Sequence, residues 1–373
     1  MAVDAGTRPG RTKQKGIAMS EMWNKYADTA ARKHGRPGRE QRPKSVTIDA
    51  HTHVAVPRAA EFIKPHLDRS TIPLAHFASD ETKALNAKQE ADIGSRIAGN
   101  YDERFADMDK MGVDAQLVMP PPPQCYHTVA HEYAVPAARM INDGIAEWVS
   151  KHPDRFIPTG TVPMQDGNEA AKELERCMKT LKFKGVEILT NVAGRELSDP
   201  AFSPFWKKAE ELDALVIIHP NGFTEGKRLS RFYFNNVIGN PFETTLALHY
   251  LIFDGVMERH PNLKIFAMHG GGYLGGYSGR IDHAWGARSD SHADLPKPPT
   301  HYLKKVYVDG IVFTADQLES LVKLFGDHVI MGTDYPFDML ENDPIGHINS
   351  VPTFDDTMRG ALAGGNAKKM LGM

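Results

Sequence analysis

The sequence is poor in several things, and each shortage excludes a class of protein. It has only two cysteines, Cys125 and Cys177, in 373 residues. Neither stands in a CxxC pair, so a disulfide scaffold and a cysteine-rich structural zinc site are both excluded, and a reducing compartment is expected. No run of about 18 apolar residues occurs, so no transmembrane helix is expected. The N-terminus has no apolar core of the secretory kind, and the expectation is a cytoplasmic protein. The net charge is −3, with 24% charged and 41% hydrophobic residues. That balance shows no one-signed field for nucleic acid or a membrane surface. No internal repeat is visible. The turn after the first apolar run reads His51-Thr-His-Val-Ala-Val-Pro57. It has no glycine, so the phosphate-cradling turn of a doubly wound dinucleotide fold is missing.

What is present begins with a basic arm. Residues 1–44 carry two stretches rich in Arg, Lys, Pro and Gly, 8–15 and 32–39, around a possible short helix at 22–31. This composition suits a flexible arm or one that wraps a neighbour. From residue 45 to 373 the pattern is that of one catalytic domain. Short β-branched or apolar runs fall at 45–51, 114–119, 156–162, 185–189, 214–219, 263–269, 306–309 and 329–334. Helical periodicity separates them at 131–150, 168–181, 204–212, 243–258, 273–285 and 314–325. Eight strand–helix alternations predict a (β/α)8 barrel of the TIM type. The stretch 58–100 has no strong period and reads as an insertion after strand one.

In such barrels the chemistry sits at the C-terminal ends of the strands. Polar residues fall at those ends: His51 and His53 on strand one, His219 on five, His269 on six, Asp334 on eight. In His51-Thr-His53 the two imidazoles are two residues apart, so they face one side of a strand and can grip one ion. Imidazole nitrogen and carboxylate oxygen suit Zn, and also Mn, Fe or Co. His219 and Asp334 would complete the set, leaving a position for water or substrate. His269 is then either a fifth ligand or the general base. The base is favoured, because Gly270-Gly-Gly272 would let substrate approach the backbone closely.

Ile48-Asp-Ala-His-Thr-His53, Ile218-His-Pro220, His269-Gly-Gly-Gly272, Gly279-Arg-Ile-Asp282, Val308-Asp309, Gly332-Thr-Asp-Tyr-Pro-Phe337 and Gly364-Gly-Asn-Ala-Lys368 together resemble the amidohydrolase superfamily (its family 2). More narrowly they are similar to its 2-amino-3-carboxymuconate-6-semialdehyde decarboxylase branch, over residue 45 to the end. The resemblance implies one zinc per chain on His51, His53, His219 and Asp334, with His269 as base. Binuclear members carry a modified lysine at the end of strand four. Here that strand ends at Leu189-Thr-Asn191 and Lys184 stands at its start, which favours a single metal. In the branch, an arginine eleven residues after the base reaches the partner subunit's site and holds a substrate carboxylate. Arg280 has that spacing, and a homodimer or higher homo-oligomer is expected on the same ground. The alternative for Arg280 is an ion pair with Asp282.

Two positions depart from the branch. Asn221-Gly222 replaces an aromatic after the strand-five His-Pro, and the nearest arginine before Tyr101-Asp102 is Arg96, out of register. Asn221 and Phe223 are therefore read as substrate contacts of a different pocket, shaped by residues 224–240. The expected function is metal-dependent nonoxidative decarboxylation of an unsaturated or aromatic carboxylic acid, a carbon–carbon lyase reaction of aromatic catabolism, in which His269 and the Asp334 carboxylate manage the protons. The alternative is a hydrolase or hydratase acting on a ring-cleavage product, amide or lactone. A barrel that only binds a ligand is a third reading, which five polar groups on one rim disfavour.

Overall fold

A computed structural model describes residues 38–373. Most of the expected arm, and the helix expected at 22–31, lie outside the described residues. The end of that arm is tied to the barrel. Gly38–Gln41 is a short helix, the Gln41 carbonyl accepts from Asn349 Nδ2 at 3.3 Å, and Arg42 pairs with Asp114.

Eight parallel strands follow: β1 Ile48–His53, β2 Ala115–Met119, β3 Phe156–Pro158 (resumed at Gly160–Thr161), β4 Gly185–Leu189, β5 Leu215–His219, β6 Lys264–Ala267, β7 Tyr307–Asp309 and β8 Val329–Ile330. β1, β2 and β3 pair in order, and Gly160–Thr161 pairs with β4, then β5, β6, β7 and β8 in turn. Past β8, backbone bonds return to β1: Ala50 N to Met331 O at 2.9 Å, Asp334 N to His51 O at 2.9 Å and His53 N to Tyr335 O at 2.8 Å. The ring order is that of the expected (β/α)8 barrel. β8 ends at Ile330, short of its expected run to 334, and Asp334 takes a left-handed φ of 66°.

The strand sequences explain the packing. β5 is Leu-Val-Ile-Ile-His and fully buried, since both faces of a parallel barrel sheet are covered. Side chains alternate. Leu215 and Ile217 pack inside with Ile48, Ala50, Leu117, Met119, Phe266 and Met268, while Val216 and Ile218 join the core under the helices. His219 shares the parity of Leu215 and Ile217, so it too faces inward, at the rim. The C-terminal helix Asn366–Leu371 adds Ala367, Met370 and Leu371 to the inner cluster, closing the opposite end.

The insertion after β1 is helical, a correction to the aperiodic reading. Asp80–Asp92 is a helix started by the Ser79 cap, whose Oγ accepts from Thr82 N, and it carries Asp80 and Glu81 in its first turn. Only Thr82 is buried in it. Capping and charge define this helix rather than an apolar stripe, which is why periodicity missed it. The insertion leads into the helix Tyr101–Met111, which buries Arg104 completely. Its guanidinium donates to His53 O at 2.9 Å, Thr52 Oγ1 at 2.9 Å and Gln116 Oε1 at 2.7 Å. Burial lowers its pKa to about 10, so it stays charged and braces the strand that presents both histidines.

Candidate metal centre

The five rim residues meet. Ligand atoms of His51, His219, His269 and Asp334 all lie within 4.8 Å of one another. His53 joins through Asp334, with Nε2 3.2 Å from Oδ1. The His51, His53 and His219 rings are mutually 5.1 to 5.3 Å apart between centroids. His51 Nε2 lies 3.4 Å from Asp334 Oδ1, and His269 Nε2 lies 3.6 Å from Oδ2.

The far side of each ring separates two kinds of histidine. Nδ1 of His51 donates to Asp309 Oδ2 at 2.8 Å, Nδ1 of His53 to Pro120 O at 3.1 Å, and Nδ1 of His219 to Pro220 O at 2.6 Å. Each bond fixes the tautomer with Nδ1 protonated, leaving Nε2 as a lone-pair donor. That is the outer support metal-binding histidines have. Nε2 of His51 and of His219 is buried with no partner, a cost that a cation would remove. His269 is different: its Nδ1 is buried and unpartnered, so no acceptor on the far side of the ring supports it. His51, His53, His219 and Asp334 could therefore hold a divalent ion, with His269 beside it.

The electrostatics fit a cation. Burial, then the neighbouring imidazoles of His269, His51 and His53, push His219 well below the usual histidine range. His53 is lowered chiefly by burial. Burial would raise Asp334, but His51, His269 and His53 outweigh it and hold the carboxyl well below its ordinary value. Burial also pulls His51 down, yet Asp334 and Asp309 outweigh it and lift it to about 9. The proton there sits between two carboxylates, where a bound cation would take its place.

Asp309 is the last residue of β7. The structure shows it fully buried, accepting from His51 Nδ1 and also from the backbone of His269, Gly270 and Ile311 at 2.8 to 3.1 Å. It orients one imidazole and fixes the turn that carries another. Asp309→Asn is expected to lower metal affinity about 10–100-fold with the fold intact, read by competition against a chelator. Unchanged affinity would count against the support role.

His269 and Asp334 both hold left-handed backbone, φ 57° and 66°, which costs about 1–3 kcal/mol each and persists where surroundings over-determine it. The glycines after His269 have another reason than substrate approach. Their φ values are 65°, 72° and 68°. A Cβ would strike Val312 at 2.7 Å from Gly270, Val308 at 2.8 Å from Gly271 and the Pro241 carbonyl at 2.2 Å from Gly272.

Above the cluster lies a cavity of about 140 Å³ lined by His219, His269, Asp334, Asn221, Tyr233 and Phe337 among others. An apolar cavity of about 150 Å³ holds one benzene ring, so the inner chamber suits a small ring. It adjoins an outer cavity of about 590 Å³ whose walls include Arg69, His76, Lys83 and Glu90. Asn221 lines both chambers. Phe223 does not line the inner one: it packs edge-on against Phe242 with centroids 4.9 Å apart. Gly222 before it, at φ 88°, sits so close to Leu74 that a Cβ would lie 2.3 Å from its nitrogen.

The arginines separate similarly. Arg96 pairs with Asp107 at 2.9 Å. Arg280 is exposed on the helix Leu274–Ala287 and outside the cluster of its own chain. Asp282, its alternative partner, instead accepts from Thr300 N and Oγ1 at 3.0 and 2.5 Å. Lys184 is at the opposite end of the barrel, donating to Leu371 O at 3.0 Å. β4 instead turns Glu187 inward, next to Cys125 with 3.4 Å from Oε1 to Sγ, and burial raises its pKa to about 8.

A family model described as amidohydrolase matches residues 48–373. The chain belongs to the amidohydrolase family. This amidohydrolase is 35% identical to the 2-amino-3-carboxymuconate-6-semialdehyde decarboxylase of Dictyostelium discoideum, over 88% of this chain and 92% of that one. It is 27% identical to a gamma-resorcylate decarboxylase of Polaromonas sp., over 72% and 88%. Its fold matches the crystal structure of 5-carboxyvanillate decarboxylase from Novosphingobium aromaticivorans, complexed with manganese and 4-hydroxy-3-methoxy-5-nitrobenzoic acid. The TM-score is 0.78 at 25% identity, covering 91% and 98% of the two chains. Family and cluster together support a divalent metal here. Among the described residues of this amidohydrolase, no helix is long and apolar enough to cross a membrane.

Proposed function

We propose that this amidohydrolase uses one divalent ion, held by His51, His53, His219 and Asp334, to remove carbon dioxide without an oxidant from a small unsaturated or aromatic carboxylic acid. The carrying observation is that three imidazoles are each fixed through Nδ1, with Nε2 of His51 and His53 at 3.4 and 3.2 Å from Asp334 Oδ1 and Nε2 of His219 buried without a hydrogen-bond partner, whereas Nδ1 of His269 has no acceptor. The relatives that are decarboxylases support the reaction class. Zinc is the metal this reading favours on donor type, and manganese is the ion of the matched solved structure. When bound, the ion supplies positive charge that fixes the substrate and stabilises charge developing on it.

The protein's own groups do the rest. His269, whose Nε2 lies 3.6 Å from Asp334 Oδ2, delivers a proton to the carbon that bears the carboxylate, which interrupts conjugation. The bond to the carboxylate then breaks, its electron pair restores the conjugated system, and neutral carbon dioxide leaves. Asn221 contributes a neutral amide to the wall. A screen of aromatic and muconate-type acids, scored by CO2 release with metal content measured in parallel, tests the reading. CO2 from at least one acid with about one ion per chain is expected. Water uptake into a substrate without CO2 would replace it with a hydrolase or hydratase.

The same reading makes the chain a homodimer in which Arg280 serves the partner's site. The helix carrying Arg280 exposes Tyr277 by 68%, and Tyr273 at its start, 40% exposed, lies against Ile238, itself 37% exposed. Exposed apolar groups of this kind suit an interface. Light scattering should give twice the chain mass, and Arg280→Ala should raise KM with metal content unchanged. A monomer with full activity would defeat this part.

A further inference from the structure

The segment between β5 and the helix Asn240–Phe253 carries the least ordinary backbone near the site. Phe232 and Tyr233 are consecutive and both left-handed, at φ 58° and 61°. For L-residues this costs roughly 1–2 kcal/mol each, and two in succession persist only where the surroundings hold them. The anchors are visible. Asn235 Nδ2 donates to Pro73 O at 2.9 Å, and its Oδ1 accepts from Phe223 N at 2.9 Å. Asn240 Oδ1 accepts from Gly222 N at 2.7 Å. Leu74 N donates to Asn221 O at 3.1 Å. The segment is thus pinned to the turn that follows His219 and to the insertion.

What this arrangement presents is Tyr233. Phe232, its neighbour, is 68% exposed, whereas Tyr233 lines the inner cavity together with His219, His269, Asp334, Asn236 and Asp338. The phenol is held protonated, since burial and then the carboxylates of Asp338 and Asp334 push its pKa up. A phenolic hydroxyl in the cavity wall can donate a hydrogen bond.

We infer that Tyr233 is a substrate-positioning residue whose hydroxyl donates to an oxygen substituent on the substrate, apart from the reacting carboxylate, so that this site takes oxygenated acids. The inference rests on the decarboxylase reading of the same site. It also gives the strain a purpose, since a relaxed backbone at 232–233 would not hold the ring in the cavity wall. One neutral hydrogen bond contributes about 1 kcal/mol, or roughly five- to tenfold in affinity.

The test is a cycle on the metal-loaded enzyme, pairing wild type and Tyr233→Phe with two probes. The probes are 4-hydroxy-3-methoxy-5-nitrobenzoic acid and 3-nitrobenzoic acid, which lacks the ring oxygens. Wild type should bind the oxygenated probe about five- to tenfold more tightly, beyond any difference that survives in the variant. Tyr233→Phe should erase most of that preference, keep its metal, and raise KM for any acid turned over more than it lowers kcat. If Tyr233→Phe keeps the full preference, or wild type shows none, the inference is overturned. If only Tyr233→Ala has an effect, and weakens both probes equally, the ring merely fills space and the inference also fails. CO2 release in the screen is scored separately, so the reaction reading can stand while this assignment falls.

Discussion

His219→Ala should give a folded protein that has lost its metal and releases no measurable carbon dioxide from an acid the parent consumes. His219 is placed by β5, which is apolar and buried up to this last residue, so the barrel core does not depend on its imidazole. Its Nε2 has no protein partner, and its Nδ1 bonds only Pro220 O. Truncation removes one ligand and leaves three, on a site whose His51 is held protonated by two carboxylates when no cation competes. The lost ion is worth several kcal/mol of charge stabilisation, which corresponds to a rate drop of about 10³ or more. Plasma mass spectrometry of both proteins, with circular dichroism as the folding control, decides the matter. Full metal content in the variant would remove His219 from the ligand set.

His269→Asn should behave in the opposite way toward the ion. Turnover is expected to fall about 10²–10⁴-fold, the usual loss of a general acid–base group, with about one ion per chain retained. The expectation turns on a distinction inside the cluster. By distance alone, His269 groups with His51, His219 and Asp334, and His53 is the outlier. By outer support, His53 belongs with the ligands, because its Nδ1 is anchored on Pro120 O and that of His269 is not anchored at all. Orientation is the better guide, since a ligand ring must be held with its lone pair on the metal. Loss of metal from His269→Asn would show that distance was right and would make His269 a ligand. Retained metal with full turnover would leave it no chemical role.

Much of this protein was legible in its residues. The barrel could be read because buried parallel strands are short apolar runs, and β4 at 185–189 matched its run to the residue. The rim histidines and Asp334 could be read because strand ends are where barrels place chemistry. The Asp80–Asp92 helix escaped because its signal is a cap and charges, not an apolar face. Phe223 packs against Phe242 outside the inner cavity, a contact between segments that its place in the sequence does not signal. The roles of Asp309 and Arg104 had no local signal, since each depends on partners far along the chain: Asp309 lies 258 residues from His51, and Arg104 51 from the His53 carbonyl.

Sequence by itself thus determined the fold class, the family and the five polar groups on one rim, because those follow from periodicity and from which residue types end the strands. Only the tertiary structure decided which imidazoles are braced, that Arg280 lies outside its own chain's site, and that Tyr233 faces the cavity. Those depend on contacts between distant segments and on a few backbone angles, and neither leaves a periodic trace in the order of residues.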